Sequence, residues 1–395
     1  MLTSENHCRI RDSVERRSSQ LVGMSHYIHA NPEIRFQERK ASTRLVAALS
    51  EAGFVTEFPA GGLETAFVAR VRGSAGGNDP TVAILCEYDA LEGLGHACGH
   101  NVIATMGLGG GLALADVADA FAGEVRVIGC PGEEGGGGKA YLLNAGVFDD
   151  VDAALMIHPL AEDRQGGTSL ARVGWDVEFV GRPAHAAMAP HLGINALDAV
   201  RLAFAGIDAL RQQVTPDTRI HAIIVDGGAA VNVIPERASL RIFLRSAQST
   251  YLNESIVPRA RGVMEGAALM AGCGVTVNEV GPAYDAMVPN RVLAERYGTL
   301  AAALGRTAAP IDENDAGGSS DMGNVSQRFP SLHAYIAIDG DVKPHTAEFR
   351  DAAQSDRADR AVVDGATLLA QLGFDLLTDP QLLAAAVAEH HARKS

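Results

Sequence analysis

Side chains that could bind a metal ion or move a proton follow three apolar runs of the sequence. They are Glu87 and Asp89 after the run 81–86, Glu133 and Glu134 after 124–129, and His158 after 153–157. A fourth group, His96 to His100, lies in the loop after the first run. Thiolate, imidazole and carboxylate are the ligands of a borderline-soft divalent cation. Cys98 and His100, separated by one glycine, could both turn toward such a cation.

Each of these residues also has an ordinary structural explanation when taken alone. A histidine after a strand usually makes a hydrogen bond within its loop, and paired glutamates usually lie in a solvated turn. Glu133 and Glu134, however, are flanked by Pro131 and by glycines 132 and 135–138. In this frame two adjacent carboxylates would repel each other unless one of them met a cation. Four such signals, which follow three successive predicted strands, favour one metal site over four unrelated loops.

The elements that must position these residues alternate between strand and helix. The predicted strands are 81–86, 124–129 and 153–157, and the predicted helices are 9–29, 40–52, 102–118 and 139–145. This alternation predicts a mostly parallel sheet covered by helices. Ligands of such sheets bind beyond the carboxyl ends of the strands, which is where the polar residues lie.

The pattern changes near residue 168. The order becomes strand, helix, strand, strand, helix, strand, at 172–181, 193–213, 218–225, 237–245, 251–271 and 274–280. Helix and strand alternation returns at 290–304, 332–338 and 356–372. We therefore expect an α/β domain with a mostly parallel sheet from residues 1–167 and 284–395, and an inserted smaller α+β domain at 168–283. A chain of 395 residues is long enough for two hydrophobic cores.

The composition and net charge of the chain argue against some classes of binding partner. The chain is 47% hydrophobic and 21% charged, as in globular proteins, and its net charge of −15 disfavours nucleic acid and membrane surfaces. Residues 1–17 lack an apolar secretory segment, and the most apolar stretch, 102–115, is shorter than the roughly 20 residues of a membrane span. Five cysteines without CxxC spacing do not indicate a disulfide framework. We expect a cytoplasmic protein.

Seven short motifs follow one another along the chain. They are 87–91 (EYDAL), 95–101 (GHACGHN), 131–135 (PGEEG), 181–187 (GRPAHAA), 227–235 (GGAAVNVIP), 317–324 (GGSSDMGN) and 343–346 (KPHT). Together they resemble the amidohydrolase branch of the aminoacylase/carboxypeptidase dinuclear metallopeptidase family. That branch includes indole-acetyl-amino-acid hydrolases, aminobenzoyl-glutamate hydrolases and related dipeptidases. The resemblance implies hydrolysis of an amide bond in a small N-acyl or aryl amino acid, or a dipeptide, with a free carboxylate.

The resemblance also implies a role for each residue of the metal site. Two divalent metal ions per subunit, zinc or manganese, would be bound by Cys98, His100, Glu134, His158 and His345. Cys98 would bridge the two ions, where the wider family has a carboxylate. Glu133 would be the general base, and Asp89 would orient a ligand. Glu87 stands where the wider family has a metal-binding histidine, and His96 would only support the loop.

The remaining implied roles concern the substrate. His185 in the insert would stabilise the oxyanion, reaching the site from a partner subunit of a homodimer formed through the insert. Asn232 and Arg245 would bind the substrate carboxylate, and Gly318 and Ser319 would allow a close backbone approach. Arginine suits this task because its planar fork binds a carboxylate through two hydrogen bonds.

Two other functions remain compatible with the sequence. The same metal site could deaminate an aromatic amine that carries a carboxylate. The chain could also be a non-catalytic metal-binding relative, although such a scaffold would have no use for Glu133 beside the ligand Glu134.

Overall fold

The computed structural model describes residues 2–313 and 317–394. These residues fold as two units, Met1–Thr168 with Met287–Ser395 and, between them in sequence, Ser169–Ala286. Each unit has its own hydrophobic core. The smaller unit begins one residue later and ends three residues later than the predicted insert, 168–283.

The helices and strands are labelled in chain order. The α-helices are α1 (Leu2–Arg16), α2 (Ser18–Ala30), α3 (Arg39–Glu51), α4 (His100–Ala115), α5 (Gly138–Asn144), α6 (Ala196–Leu210), α7 (Ser249–Tyr251), α8 (Val257–Ala271), α9 (Arg291–Ala303), α10 (Met322–Ser326), α11 (Ala347–Ala352), α12 (Asp356–Thr378) and α13 (Pro380–Lys394). The strands are β1 (Val55–Glu57), β2 (Phe67–Arg72), β3 (Thr81–Glu87), β4 (Glu124–Cys130), β5 (Ala153–Leu160), β6 (Ala171–Val180), β7 (Ala184–His185), β8 (Arg219–Asp226), β9 (Val233–Ile234), β10 (Arg237–Ser246), β11 (Gly274–Glu279) and β12 (Ser331–Ala337).

The larger unit is built on a mixed six-stranded sheet in the order β1-β2-β4-β3-β5-β12. The last four strands in this order are parallel to one another, whereas β1 and β2 add an antiparallel edge. This edge was not predicted from the sequence, and the sheet is less parallel than expected. The apolar start of β2, Phe67–Ala69, gives way to Arg70 and Arg72, so the strand lacks the continuous apolar run of its neighbours.

The register of the parallel strands aligns the candidate residues. Glu87 at the end of β3 is opposite Cys130 at the end of β4. Ile84 of β3 is opposite Leu155 of β5, which puts His158 at the level of Glu87. His158 lies within β5, whereas the prediction placed it after the strand, because β5 continues to Leu160. The side chains of interest therefore meet at one edge of the sheet.

Helix α4 begins with His100 at this edge of the sheet, and its residues from His100 to Leu114 are buried. Glycines let it pack closely. A Cβ on Gly107 would lie 2.4 Å from Cys86 Sγ, and one on Gly109 would lie 2.7 Å from the Cβ of Ala366.

Several helix boundaries differ from the prediction. The predicted helix 9–29 is interrupted at Arg17, whose N–H bonds to Val14 O in a tighter turn. The predicted helix 251–271 divides into α7, a π-helical turn Leu252–Ile256 and α8, where Pro258 has no N–H to donate. The predicted helix 356–372 continues to Thr378 as α12. Within the described residues, α12 alone has the length and apolar composition of a membrane span, but 94% of its most apolar window is buried in the fold.

The smaller unit is an antiparallel sheet in the order β11-β6-β10-β8 with helices on one face. Trp175 and Val177 of β6 and Ile242 of β10 point to α6 and α8 and form its core. The alternate residues of both strands line the opposite face, which bears the charged side chains of β10. Strands β7 and β9 form a separate two-stranded sheet.

Candidate metal centre

Gly99 shapes the loop that carries Cys98 and His100. Its φ is 76°, and a Cβ there would lie 2.5 Å from Pro159 Cγ. A glycine is therefore required both by the left-handed backbone and by the space. With this turn, Cys98 Sγ lies 3.6 Å from His158 Nε2.

The five predicted metal ligands belong to three overlapping groups of residues. Within each group, the candidate ligand atoms lie within 4.8 Å of one another. The groups are Cys98, His100 and His158; Cys98, Glu134 and His345; and His100, Glu133 and Glu134. Cys98 belongs to both of the first two groups. A sulfur shared by two donor sets is the arrangement in which one thiolate would bridge two cations. His96 is buried behind the loop and belongs to none of these groups.

His345 lies on an exposed loop that is fixed to the Cys98 segment. Its N–H donates to Ala97 O at 2.8 Å, and its φ of 66° is uncommon for a residue other than glycine. Its Nε2 lies 3.3 Å from Glu134 Oε1. The backbone of His345 is therefore in an unfavourable conformation, which the surrounding contacts must stabilise.

The donor atoms suit a divalent cation. His100 Nε2 and Glu134 Oε1 are buried, and among the described residues their polar neighbours, Glu87 Oε2 at 3.4 Å and His345 Nε2 at 3.3 Å, do not form hydrogen bonds of good geometry with them. Leaving such atoms unpaired is unfavourable, and a cation would satisfy both. His100 Nδ1 lies 3.0 Å from Asp89 Oδ1, so Nε2 is the ring nitrogen that can bind a metal.

Burial and neighbouring charges shift the pKa values of the candidate ligands in both directions. Burial, and then the charge of Glu134, raise the pKa of the Cys98 thiol well above its usual range. Burial lowers the pKa of His158 to about 4, so this imidazole is neutral at pH 7 and able to bind a metal. Burial, together with the carboxylates of Glu87 and Glu134, raises the pKa of Glu133 well above 4.5. Positive charge would counteract the raised pKa values of Cys98 and Glu133.

A cluster of buried charged residues, which was not predicted from the sequence, contacts the predicted metal ligand His100. Lys139 is fully buried and its Nζ contacts Glu87 Oε1 and, at 2.6 Å, Asp321 Oδ1. Glu87 Oε2 lies 3.4 Å from His100 Nε2. Between Arg126 and Arg164 the chain has no other lysine or arginine, and a single lysine in that apolar, glycine-rich stretch was the available signal.

Glu38, which was also not predicted, fixes the segment before the predicted base. Its Oε1 accepts the N–H groups of Phe36 and Gly132, each at 2.8 Å, and its Oε2 accepts the hydroxyl of Thr65 at 2.7 Å. Burial, with the charge of Asp89, raises the pKa of Glu38 to about 7. Because Gly132 precedes Glu133, these bonds restrain the backbone of the predicted base.

The predicted substrate residues divide between the two units. Within the smaller unit, His185 and Asn232 are neighbours, since β7 pairs with β9 and Ala186 N–H donates to Asn232 O at 3.0 Å. His185 is exposed, and its Nδ1 accepts the N–H of Met188 at 3.2 Å, which leaves Nε2 as a donor. Arg245 is on β10 of the same unit. Gly318 and Ser319 belong to the larger unit, and a Cβ on Gly318 would meet open space.

Several known proteins are similar to this chain in sequence or in fold. The sequence profile of Peptidase family M20/M25/M40 matches residues 82–372. The chain is 35% identical over 387 residues to the Xaa-Arg dipeptidase of Mus musculus, covering 95% of this chain and 90% of that protein. It is 36% identical over 305 residues to a p-aminobenzoyl-glutamate hydrolase chain of Escherichia coli (strain K12), covering 72% of this chain and 62% of that protein.

Two solved structures have the same fold at lower identity. An aminobenzoyl-glutamate utilization protein from Klebsiella pneumoniae aligns with a TM-score of 0.76 at 21% identity, covering 93% of this chain and 98% of that one. A dinuclear metal binding peptidase from Bacillus subtilis aligns with a TM-score of 0.69 at 20% identity, covering 92% and 99%.

Proposed function

The chain belongs to the peptidase family M20/M25/M40 and is a metal-dependent amide hydrolase, and we propose that its substrates are small N-acyl or aryl amino acids or dipeptides with a free carboxylate. The observation that carries the proposal is the position of Cys98, whose Sγ belongs to two donor groups beside the paired carboxylates of Glu133 and Glu134.

The donor groups indicate which residues would hold two divalent ions, zinc or manganese. Cys98, His100 and His158 would bind one ion, and Cys98, Glu134 and His345 the other. When bound, such a pair of cations lowers the pKa of water and polarises the scissile carbonyl. Thiolate and imidazole favour zinc, whereas the order of metal affinities leaves cellular availability to decide.

Glu133 is proposed to move the proton. Its carboxylate oxygen lies within 4.8 Å of ligand atoms of His100 and Glu134, so it is beside the predicted ions without belonging to either Cys98 group. A raised pKa makes this carboxylate a stronger base, able to take a proton from water and pass it to the leaving amine. Asp89 would keep His100 and the backbone of Glu134 in place.

We propose a homodimer formed through the smaller unit. Strand β8 is at the edge of its sheet, and Ile223, Ile224 and Val225 are 64%, 49% and 57% exposed on it. An exposed apolar edge strand is usually covered by another chain. In the dimer, His185 would donate from Nε2 to the oxyanion in the partner's site. Sedimentation should give a dimer for the wild type and a monomer for Ile224→Lys.

The substrate carboxylate is proposed to bind Asn232 and Arg245. The backbone of Gly318 and Ser319 is proposed to approach the substrate closely. The names of the relatives imply opposite charges on the residue that is released, arginine for the dipeptidase and glutamate for the aminobenzoyl-glutamate hydrolase. Both have the free carboxylate for which this pair is proposed.

A substrate panel with metal analysis tests the proposal. Protein purified from the cytoplasm, where we propose that it acts, should hold two zinc or manganese ions per chain and release amino acids from N-acyl amino acids or dipeptides. Release of ammonia from an aromatic amine in place of amino acids would show that the reaction is deamination. A fully metal-loaded protein that turns over neither class would be a non-catalytic relative, and the proposal would be wrong.

A further inference from the structure

The loop that carries Glu133 and Glu134 is rich in glycine. It runs from residue 131 to 137, between β4 and α5, and four of its seven residues are glycines. Glycine allows many backbone conformations, so the loop sequence does not by itself hold Glu133 in one position. A general base must lie within hydrogen-bond reach of its proton, and a displacement of about 1 Å can cost on the order of 100-fold in rate. Contacts from outside the loop must therefore fix it.

The connection between α2 and α3 supplies two such contacts. Arg35 Nη1 donates to Glu134 O at 3.0 Å, and Glu38 Oε1 accepts the N–H of Gly132 at 2.8 Å. These bonds hold the main chain on either side of Glu133. Arg35 is exposed, whereas Glu38 is fully buried. A hydrogen bond is stronger where water is excluded, so the bond to Glu38 is the stronger restraint.

Phe36 has a strained backbone and contacts the same loop. Its φ is 62°, a left-handed conformation that is uncommon for residues other than glycine. Its N–H also donates to Glu38 Oε1, at 2.8 Å. Its ring lies against the loop, since a Cβ on Gly132 would be 2.9 Å from Phe36 Cε1 and a Cβ on Gly136 would be 2.7 Å from Cε2. Strained residues persist only where their surroundings stabilise them, and they cluster at functional sites.

The hydrogen bonds of Glu38 do not depend on its charge. Its Oε1 accepts both N–H groups, and its Oε2 lies 2.7 Å from the hydroxyl oxygen of Thr65. A carboxylate accepts the hydroxyl proton at Oε2, whereas a protonated carboxyl can donate to the hydroxyl oxygen. Because burial and the charge of Asp89 raise the pKa of Glu38 to about 7, both states occur at neutral pH. Glutamine offers the same pattern, with an oxygen for the two N–H groups and an NH2 group for the hydroxyl.

We propose that Glu38 and Phe36 are positioning residues of the hydrolysis, which hold Glu133 in place through Gly132 and are required for turnover but not for metal binding. The inference rests on the proposed function, in which Glu133 is the general base. Neither positioning residue belongs to a donor group of the predicted ions.

Loss of Glu38 should leave the metal ligands in place. Glu134 keeps the bond from its N–H to Asp89 Oδ2 and the bond from Arg35 to its carbonyl oxygen. The effect should therefore fall on proton transfer by Glu133, which is measured as kcat.

The test compares Glu38→Leu with Glu38→Gln and with the matched control Asp375→Leu. Asp375 is a second buried carboxylate, and its partners His7 and Arg296 are not in the loop. Each metal-loaded protein is assayed on the N-acyl amino acid or dipeptide that the wild type hydrolyses fastest. Glu38→Leu should lower kcat by about 100-fold with KM within about threefold of wild type, whereas Glu38→Gln and the control should keep kcat within about threefold. All four proteins should hold two metal ions per chain.

Amide hydrogen exchange separates this inference from the proposed function. In the metal-loaded proteins without substrate, residues 131–137 should exchange faster in Glu38→Leu than in the wild type, Glu38→Gln and the control. Unchanged kcat in Glu38→Leu, an equal loss in Glu38→Gln, or loss of metal from Glu38→Leu would overturn the inference. If the wild type hydrolyses no amide, the proposed function is wrong, and the exchange rates still decide whether Glu38 holds the loop.

Phe36→Ala keeps the inference testable if Glu38→Leu does not fold. An alanine at this φ has the backbone strain without the ring contacts that offset it. We expect kcat to fall by about tenfold or more, with faster exchange of residues 131–137 and two metal ions still bound. Wild-type kcat and exchange rates in Phe36→Ala would overturn the inference.

Discussion

Asp89 connects His100 to Glu134. Its Oδ1 lies 3.0 Å from His100 Nδ1, and its Oδ2 accepts the backbone N–H of Glu134 at 2.9 Å. One carboxylate therefore orients a residue of each Cys98 donor group, so the two predicted metal positions depend on the same side chain.

Replacement of Asp89 by asparagine should weaken metal binding. Asp89 accepts these two bonds with different oxygens, and in asparagine an NH2 group would replace one of them and face a donor, so one of the two bonds would be lost. Loss of such a supporting bond typically costs about 10- to 100-fold in metal affinity or activity. Competition with a chromophoric chelator would measure the affinity, and circular dichroism would check the fold. A folded Asp89→Asn protein with wild-type affinity would contradict this role.

The site could be predicted where its residues lie at the ends of continuous apolar runs. Glu87 and His158 were found in this way, because the register of parallel strands brings such ends to one edge. The roles of Lys139 and Glu38 could not be predicted, because their partners are distant in sequence. Asp321 is 182 residues from Lys139, and Gly132 is 94 residues from Glu38. A local pattern contains no information about which distant residue satisfies a buried charge.

The same limit applies to the sheets. The parallel strands of the larger unit were predicted from apolar runs, whereas β2, which lies between β1 and β4, was missed because its second half alternates with arginines. In the smaller unit the strands were located from their alternation, but the cross-strand register that sets Arg172 opposite Arg245 appears only in the folded sheet.

Glu133→Ala and Cys98→Ala should separate proton transfer from metal binding. The Glu133→Ala protein should keep both metal ions, because neither Cys98 donor group includes this residue, yet lose nearly all turnover. The Cys98→Ala protein should lose metal, because both groups share its sulfur. Elemental analysis and steady-state rates would measure the two effects. Wild-type activity of Glu133→Ala would disprove its role as the base.

Lys139→Met should destabilise the protein strongly. The change leaves the buried carboxylates of Glu87 and Asp321 without their common cation, and removing one partner of a buried ion pair typically costs about 3–5 kcal/mol. The control Arg39→Met removes an exposed pair with Glu64 and should change the free energy of unfolding by at most about 0.5 kcal/mol. Urea unfolding of both variants would give the comparison, and equal midpoints would contradict the prediction.

Gly99→Ala should damage the metal centre through the backbone. An alanine there would hold a left-handed conformation, which costs roughly 1–2 kcal/mol, and its Cβ would lie 2.5 Å from Pro159 Cγ. The loop must shift to relieve this contact, and Cys98 and His100 would shift with it. We therefore expect lower stability together with weaker metal binding.

Gly23→Ala is the matched control for this change. Gly23 lies within α2, and a Cβ there would meet nothing within 4 Å. Alanine is favoured over glycine inside a helix by about 0.5–1 kcal/mol, so Gly23→Ala should be slightly more stable than wild type and bind metal normally. Thermal unfolding and chelator competition would measure both variants. If Gly99→Ala matched the control in stability and in metal affinity, the loop would tolerate a side chain, and the requirement for glycine at the start of α4 would be wrong.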